Sequence, residues 1–197
     1  PFSAAVWEWK YGNGRGRAVS ARQEGELIAH YGGAPRDILF FGNCARAIQI
    51  CDVMVMPEHR SFVSRDTLFF KTAATFLEQQ IGNCAEHLLG FGFPNIRVLR
   101  MACRLGLYDV TDSFIEIHYP RTVRAADEPD LQVQPFALDA ESARDAVASC
   151  WKQMAEDLRG GIVGVRDLDY LRYRYCSHPQ WAEGGYECVA VTGEGSP

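Results

Sequence analysis

Residues 50–70 read "ICDVMVMPEHRSFVSRDTLFF", and their reading decides the fold. Val53 and Val55 alternate with Met54 and Met56, the period of a strand, and Ala47 to Met56 is the longest strand candidate in the chain. Pro57 stops it, since proline has no amide to give to a strand ladder. A basic loop with Arg60 and Arg65 follows. From Asp66 to Ile81 the apolar residues Phe69, Ala73, Phe76, Leu77 and Ile81 fall at helical spacing. Ser64 or Asp66 supplies the cap and Gly82-Asn83 the stop. Strand, loop and helix start is a layout that holds phosphate on the orphan amides of a helix N-terminus. Yet this loop contains no glycine.

Working outward, Trp7 to Tyr11 is an aromatic helix or turn broken by Gly12-Asn-Gly14. Arg17 to Arg22 and Glu26 to Gly32, around Gln23-Glu24-Gly25, give a hairpin signal, and Asp37 to Gly42 reads as a loop or edge segment. Downstream, Glu86 to Phe93 is a buried strand, Asn95 opens a helix ending at Gly106, and Ser113 to Tyr119 alternates as a strand. The polar stretch 120–135, with three prolines, is a linker or long loop. Asp139 to Leu158 reads as an amphipathic helix with Ala143, Ala146, Val147, Cys150, Trp151, Met154 and Leu158 on one face. A short aromatic helix over Asp167 to Tyr175 and a strand over Tyr186 to Thr192 complete the pattern.

The chain of 197 residues, 47% hydrophobic, is long enough for one domain with a real core, or one domain and part of another. A formal charge of −5 argues against non-specific nucleic-acid binding, which needs lysine and arginine clustered on one face. Seven cysteines at 44, 51, 84, 103, 150, 176 and 188 form no CxxC pair, so they read as buried free thiols in a reducing compartment, with no metal site. No stretch approaches the roughly 18 apolar residues of a membrane span, and Pro1 to Ala5 lacks the pattern of a signal peptide. A soluble cytoplasmic protein is expected. The start at Pro1 without a methionine hints at a trimmed numbering or a fragment.

Hairpin, long strand, helix, strand, helix, strand is the order of an α/β sandwich around a mixed sheet. Within it, "DVMVMPEHR" (Asp52 to Arg60) and "GFPNIRVLRMACRLGL" (Gly92 to Leu107), with their spacing, resemble the GNAT superfamily of N-acyltransferases. Val55, Pro57 and Arg60 match the family's Val-x-Pro-x-x-Arg strand end, and Asn95 and Leu105-Gly106 match its next helix. The resemblance covers residues 7–119. It implies an α/β (α+β) fold with a mixed, largely antiparallel central sheet flanked by helices. It further implies acetyl-CoA or another acyl-CoA as co-substrate, and direct attack by a small-molecule amine.

On that resemblance Val53, Met54 and Val55 offer their strand edge to the pantetheine arm, as an added strand would take it. The loop Arg60, Ser61, Phe62, Val63, Ser64, Arg65 and Asp66 meets the pyrophosphate, together with Asn95. The family's loop has glycine or alanine where this chain has Val63 and Arg65, so the backbone cradle is lost and Arg60 and Arg65 are left either to bind by charge or to be solvated. The family often places a tyrosine, the thiolate's acid, seven residues after the helix-opening asparagine. That position is Ala102, and Tyr108 is not assumed to replace it.

Glu58 and His59 are the candidate bases, against the alternative of turn residues. Asp52, midway along the strand, is either functional or on an open edge, because a buried carboxylate without a partner is costly. Cys51 and Asp52 face opposite ways on a regular strand, which argues against a thiol nucleophile. Trp9, Tyr11 and Tyr173 wall an acceptor pocket, or pack as core. Two function classes stand: an acyl-CoA-dependent N-acyltransferase, and a GNAT-like ligand-binding or scaffold protein with impaired catalysis. The domain reading is a core over 1–119, a linker over 120–135, and a C-terminal segment over 136–197. That last segment either completes the sheet or starts a second GNAT-like half, since Trp9-Lys-Tyr11 before one strand is echoed by Tyr173-Arg-Tyr175 before another. The echo carries with it the expectation of a homodimer.

Overall fold

A computed structural model describes residues 3–61, 64–82, 84–113, 115–118 and 131–193. The chain divides into two units, Pro1–Ser113 with Ala155–Val165, and Phe114–Met154 with Arg166–Pro197.

The first unit begins with helix α1 (Ala4–Tyr11) and a single 3-10 turn. Strands β1 (Arg17–Gln23) and β2 (Glu26–Phe40) form the expected hairpin, and β3 (Asn43–Val55) returns beside β2. After Pro57–His59, a second 3-10 turn, come α2 (Leu68–Gln80), β4 (Leu89–Phe91) and α3 (Ile96–Arg104). The sheet order is β1-β2-β3-β4, antiparallel except for the parallel pair β3/β4. The short strand β6 (Ile162–Gly164) adds to the far end of β2 at Ile38–Phe40. This is a mixed, largely antiparallel sheet flanked by helices, as the resemblance implied.

The two faces of β2 are covered differently, and two adjacent glycines make that possible. A Cβ on Gly32 would stand 2.3 Å from the Tyr11 hydroxyl of α1. A Cβ on Gly33, pointing the other way, would stand 2.7 Å from Ile48 Cγ1 and 2.8 Å from Phe76 Cζ of α2. Strand side chains alternate between faces, so α1 closes on one side and α2 on the other. The main core joins Tyr31, Ile48, Phe69, Ala73, Phe76, Ala102 and Leu105. Tyr31, Ile48 and Phe76 are among its fully buried side chains.

Several elements differ from expectation. β2 runs through Asp37–Phe40, read above as a loop, because β3 pairs it on one side and β6 on the other. It is β2, not β3, that is the longest strand. The cap of α2 is Thr67, whose Oγ1 accepts from Phe70 N at 3.2 Å, rather than Ser64 or Asp66. Gly82 lies at the end of α2 with φ 127°, and Asn83 lies outside the described residues. The expected strand 113–119 is not formed over Ile115–His118, where no neighbouring strand pairs it; Phe114 and Tyr119 lie outside the described residues.

The second unit holds β5 (Gln132–Pro135), most of α4 (Ala143–Asp157), α5 (Leu168–Leu171) with a π-helical turn over Arg172–Cys176, and β7 (Val189–Thr192). β5, at the end of the expected linker, pairs antiparallel with β7. Its core is small, formed by Leu138, Ala143, Val147 and Leu168. Of the predicted apolar face of α4, only Ala143 and Val147 are buried; Ala146, Cys150, Met154 and Leu158 are exposed, because this core reaches only the first turns of the helix. All seven cysteines are free thiols, but none is fully buried, and Cys44, Cys84 and Cys150 are exposed.

Gly33→Ala is expected to destabilise the protein by about 1–3 kcal/mol, since its methyl meets two packed side chains. Urea midpoints measure this, and an unchanged midpoint would show that Ile48 and Phe76 can yield.

Candidate functional site

β3 and β4 pair only at Ala47–Gln49 with Leu89–Phe91. Gly92 still lies against Ile50, its missing Cβ 3.3 Å from Ile50 Cβ, and then Phe93 and Pro94 turn the chain into α3. From Ile50 to Val55, about 20 Å of strand, no strand among the described residues covers this side of β3. Because β3 and β4 are parallel, their carboxyl ends lie at the same end of the sheet. The chain leaves both there for a helix start, and this is where open α/β sheets bind ligands.

Inside this open edge the strand is bulged. His30 pairs with Met54 and Gly32 with Cys51, so Asp52 and Val53 together oppose Tyr31. Asp52 takes φ 54°, the left-handed region that side chains other than Asn, Asp and Gly resist. Several contacts hold it. Lys10 Nζ donates to both carboxylate oxygens at 3.0 Å, and the Tyr11 hydroxyl donates to Oδ2 at 2.9 Å. His30 Nδ1 lies 2.8 Å from the Asp52 carbonyl oxygen. A carbonyl only accepts, so Nδ1 carries the proton. The phenol gives its single proton to Asp52, so in the 3.4 Å contact between Tyr11 and Cys51 the thiol is the donor. The bulge also turns two neighbouring side chains, Cys51 and Asp52, toward one phenol, which regular alternation would forbid.

Electrostatics follow the geometry. Burial pushes the Asp52 carboxyl up, but the Lys10 ammonium and the Tyr11 phenol outweigh it and hold the group below the ordinary carboxylate value. Burial pushes the Tyr11 phenol and the Cys51 thiol up, so neither ionises near neutrality. On the opposite face of β2, Tyr31 and Tyr108 are hydrogen-bonded hydroxyl to hydroxyl, and burial raises both phenols.

The sequence-predicted residues distribute as follows. Val53 and Met54 are exposed on the open edge, and Val55 is half-buried. Glu58 and His59 lie in the 3-10 turn just past the strand, Glu58 exposed and His59 half-buried. Arg60 is exposed, and its Nε donates to Val55 O at 2.9 Å, so it folds back on the strand end. Ser61, Ser64, Arg65 and Asp66 are exposed, Ser64 Oγ accepts from Asp66 N, and the Arg65 guanidinium lies 5.8 Å from the Phe70 ring centre. Phe62 and Val63 lie outside the described residues.

Asn95 caps α3, its Oδ1 accepting from Arg97 N and Val98 N at 3.1 and 3.0 Å. Trp9 and Tyr11 are buried on α1. Tyr173 belongs to the second unit, on its π-helical turn. Ala102 is fully buried in the main core. The sequence reading missed Lys10 and His30; a carboxylate at a strand position that demands a partner was the signal for the first. Among the described residues no group of three or more His, Cys, Asp or Glu is placed to hold a metal ion, and no helix is long and apolar enough to cross a membrane.

Residues 2–97, just under half of the chain, match the family described as Acetyltransferase (GNAT) domain, and this segment is similar to the GNAT superfamily. Among solved structures, an aminoglycoside acetyltransferase from an uncultured soil metagenomic sample is similar at 16% identity and TM-score 0.38, covering 53% of this chain and 65% of its own. A ribosomal-protein-alanine N-acetyltransferase from Brucella melitensis biovar Abortus 2308 is similar at 16% identity and TM-score 0.36, covering 56% of this chain and 77% of its own. No curated protein matches the chain significantly.

Lys10→Met is expected to destabilise the protein by about 1 kcal/mol at neutral pH. A carboxyl whose folded pKa is depressed contributes stability above its unfolded value, about 3.9, and loses it as pH falls through the lower folded value. The gap between wild type and Lys10→Met should therefore be full at pH 7 and close below about pH 4. Urea melts across this range decide it; a gap independent of pH would mean that the pair does not set the Asp52 titration.

Proposed function

We propose that the chain is an acyl-CoA-dependent N-acyltransferase that moves an acyl group, acetyl in the simplest case, to a small-molecule amine. The similarity of residues 2–97 to the GNAT acetyltransferase domain supports acyl transfer in general. The observation that carries the finer reading is the open, bulged edge of β3 from Ile50 to Val55, ending at Arg60 beside the start of α2. An amide-bearing pantetheine arm fits such an edge by adding to it as a strand does. Arg60 and Arg65 then meet phosphate by charge-assisted hydrogen bonds.

In this reading the thioester supplies the electrophilic carbonyl. Glu58 or His59, in the turn beside the strand end, accepts the proton of the attacking amine. Backbone amides at the bulge are the donors available to the developing oxyanion. Tyr11, with Lys10, acts from beneath, holding the bulge rather than lining an open pocket.

A second reading, a GNAT-like ligand-binding or scaffold protein with impaired catalysis, is favoured by one observation. Ala102 stands where the family's acid is often a tyrosine, and the Tyr108 hydroxyl is already engaged by Tyr31.

Calorimetric titration with acetyl-CoA and longer acyl-CoAs separates the two, with thiol release measured against a panel of primary amines. The expected result is micromolar binding, weakened about tenfold or more in Arg60→Ala, and turnover with at least one amine. Binding without turnover would favour the second reading, and the absence of any binding would remove CoA as the donor.

A further inference from the structure

The two helix starts beside the open edge share a trait that runs against helix electrostatics. A helix N-terminus favours acidic residues, yet neither α2 nor α3 carries one in its first turn. Arg60 and Arg65 precede α2, and Arg97 sits in the first turn of α3. Meanwhile some of the backbone donors that would cradle a phosphate are in use. Thr67 takes Phe70 N, and Asn95 takes Arg97 N and Val98 N. Arg60, Arg65 and Arg97 outnumber the acidic Glu58 and Asp66 at this end, and the caps take part of the cradle.

The positive charge continues along α3. At about 100° per residue, Ile96, Arg100, Arg104 and Arg97 fall within one arc of about 100°. All four are exposed, while Ala102 and Leu105 are buried on the far side. Phe93, 71% exposed, and Ile96, 58% exposed, set two large apolar side chains at the end nearest the open edge. Among the described residues Arg97, Arg100 and Arg104 make no ion pair, in a chain whose net charge is −5.

We infer that this face of α3 docks an acidic carrier protein that presents its acyl group on a phosphopantetheine arm. The inference rests on the acyltransferase reading and names a donor for it. An acyl-pantetheine thioester needs only the open edge of β3. Free CoA adds a nucleotide pyrophosphate, for which residues 60–66 offer no glycine. A carrier-borne arm replaces that nucleotide with a protein surface, which is recognised by opposite charge around an apolar centre. The chemistry balances: the amine nitrogen bonds to the thioester carbonyl carbon, the C–S bond breaks, and the carrier's pantetheine leaves as the thiol with the amine's proton.

The test compares three donors with one amine panel: an octanoyl-loaded acidic acyl carrier protein, octanoyl-CoA and octanoyl-pantetheine. The variant reverses charge at Arg97→Glu, Arg100→Glu and Arg104→Glu, with its thermal midpoint checked against wild type. The expected result is a loss of about tenfold or more in kcat/KM for the carrier-borne donor, with octanoyl-pantetheine within about twofold of wild type. The carrier reaction should also slow steeply between about 0.05 and 0.5 M salt. Equal use of the carrier by both proteins, or tighter retention of duplex DNA than of carrier, overturns the inference. Calorimetry with the holo-carrier protein separates the two possible failures. Transfer from octanoyl-CoA without carrier binding removes the docking face and keeps the acyltransferase; carrier binding without transfer from any donor does the reverse.

Discussion

The parting of β3 from β4 after Gln49 and Phe91 is the constraint on which the rest of the first unit depends. A parallel pair cannot be joined by a tight turn, so the chain must cross over through α2 to reach β4. That crossover brings the ends of β3 and β4 to the same side of the sheet, and both continue into helices there. Had β4 stayed in register to Val55, the edge would be consumed by ladder bonds and there would be no site. Gly92 still touches Ile50 and Phe93-Pro94 then leads away, so the parting begins within a residue or two of the last pair.

The bulge at Asp52 solves a related problem. A long edge strand with free amides is a template for unwanted pairing. An extra residue at Asp52 twists the strand, and α1 fixes that twist from one face through Lys10, Tyr11 and the glycine gap at Gly32. Glycine at position 52 would take φ 54° without strain but would offer α1 nothing to hold. Aspartate accepts the backbone cost, of order 1–2 kcal/mol, because its carboxylate carries the ion pair and its carbonyl meets His30. The reading of Asp52 as a buried carboxylate in need of a partner was therefore sound, while the partner was out of reach of periodicity: Lys10 is forty-two positions away.

Local signals were legible where one face of an element is buried and the turn chemistry is explicit. The β1–β2 hairpin, the stop at Pro57, the Asn95 cap and the two central helices all follow from side-chain period and capping. Failures lie where tertiary pairing decides. Asp37–Phe40 looks like a loop until β3 and β6 supply partners on both edges. Ile115 and Ile117 alternate as in a strand, but alternation makes a strand only when another strand is beside it. The apolar stripe of α4 is longer than the small core that receives it. At the site, the motif located the strand end and Arg60, and it could not show that Arg60 folds back on Val55 O or that Asn95 spends its side chain on its own helix.

The loop Arg60 to Asp66 has no glycine. Glycines let main-chain amides approach a phosphate, and helix starts help only while their first donors are unused. Here Thr67 takes one of those donors and Asn95 two, which stabilises α2 and α3 whether or not a ligand is present. Beside them stand Arg60, Arg65 and Arg97 around one end of the sheet, extended by Arg100 and Arg104. Charge of this kind acts at longer range than a hydrogen bond and tolerates looser geometry, at the cost of sensitivity to salt.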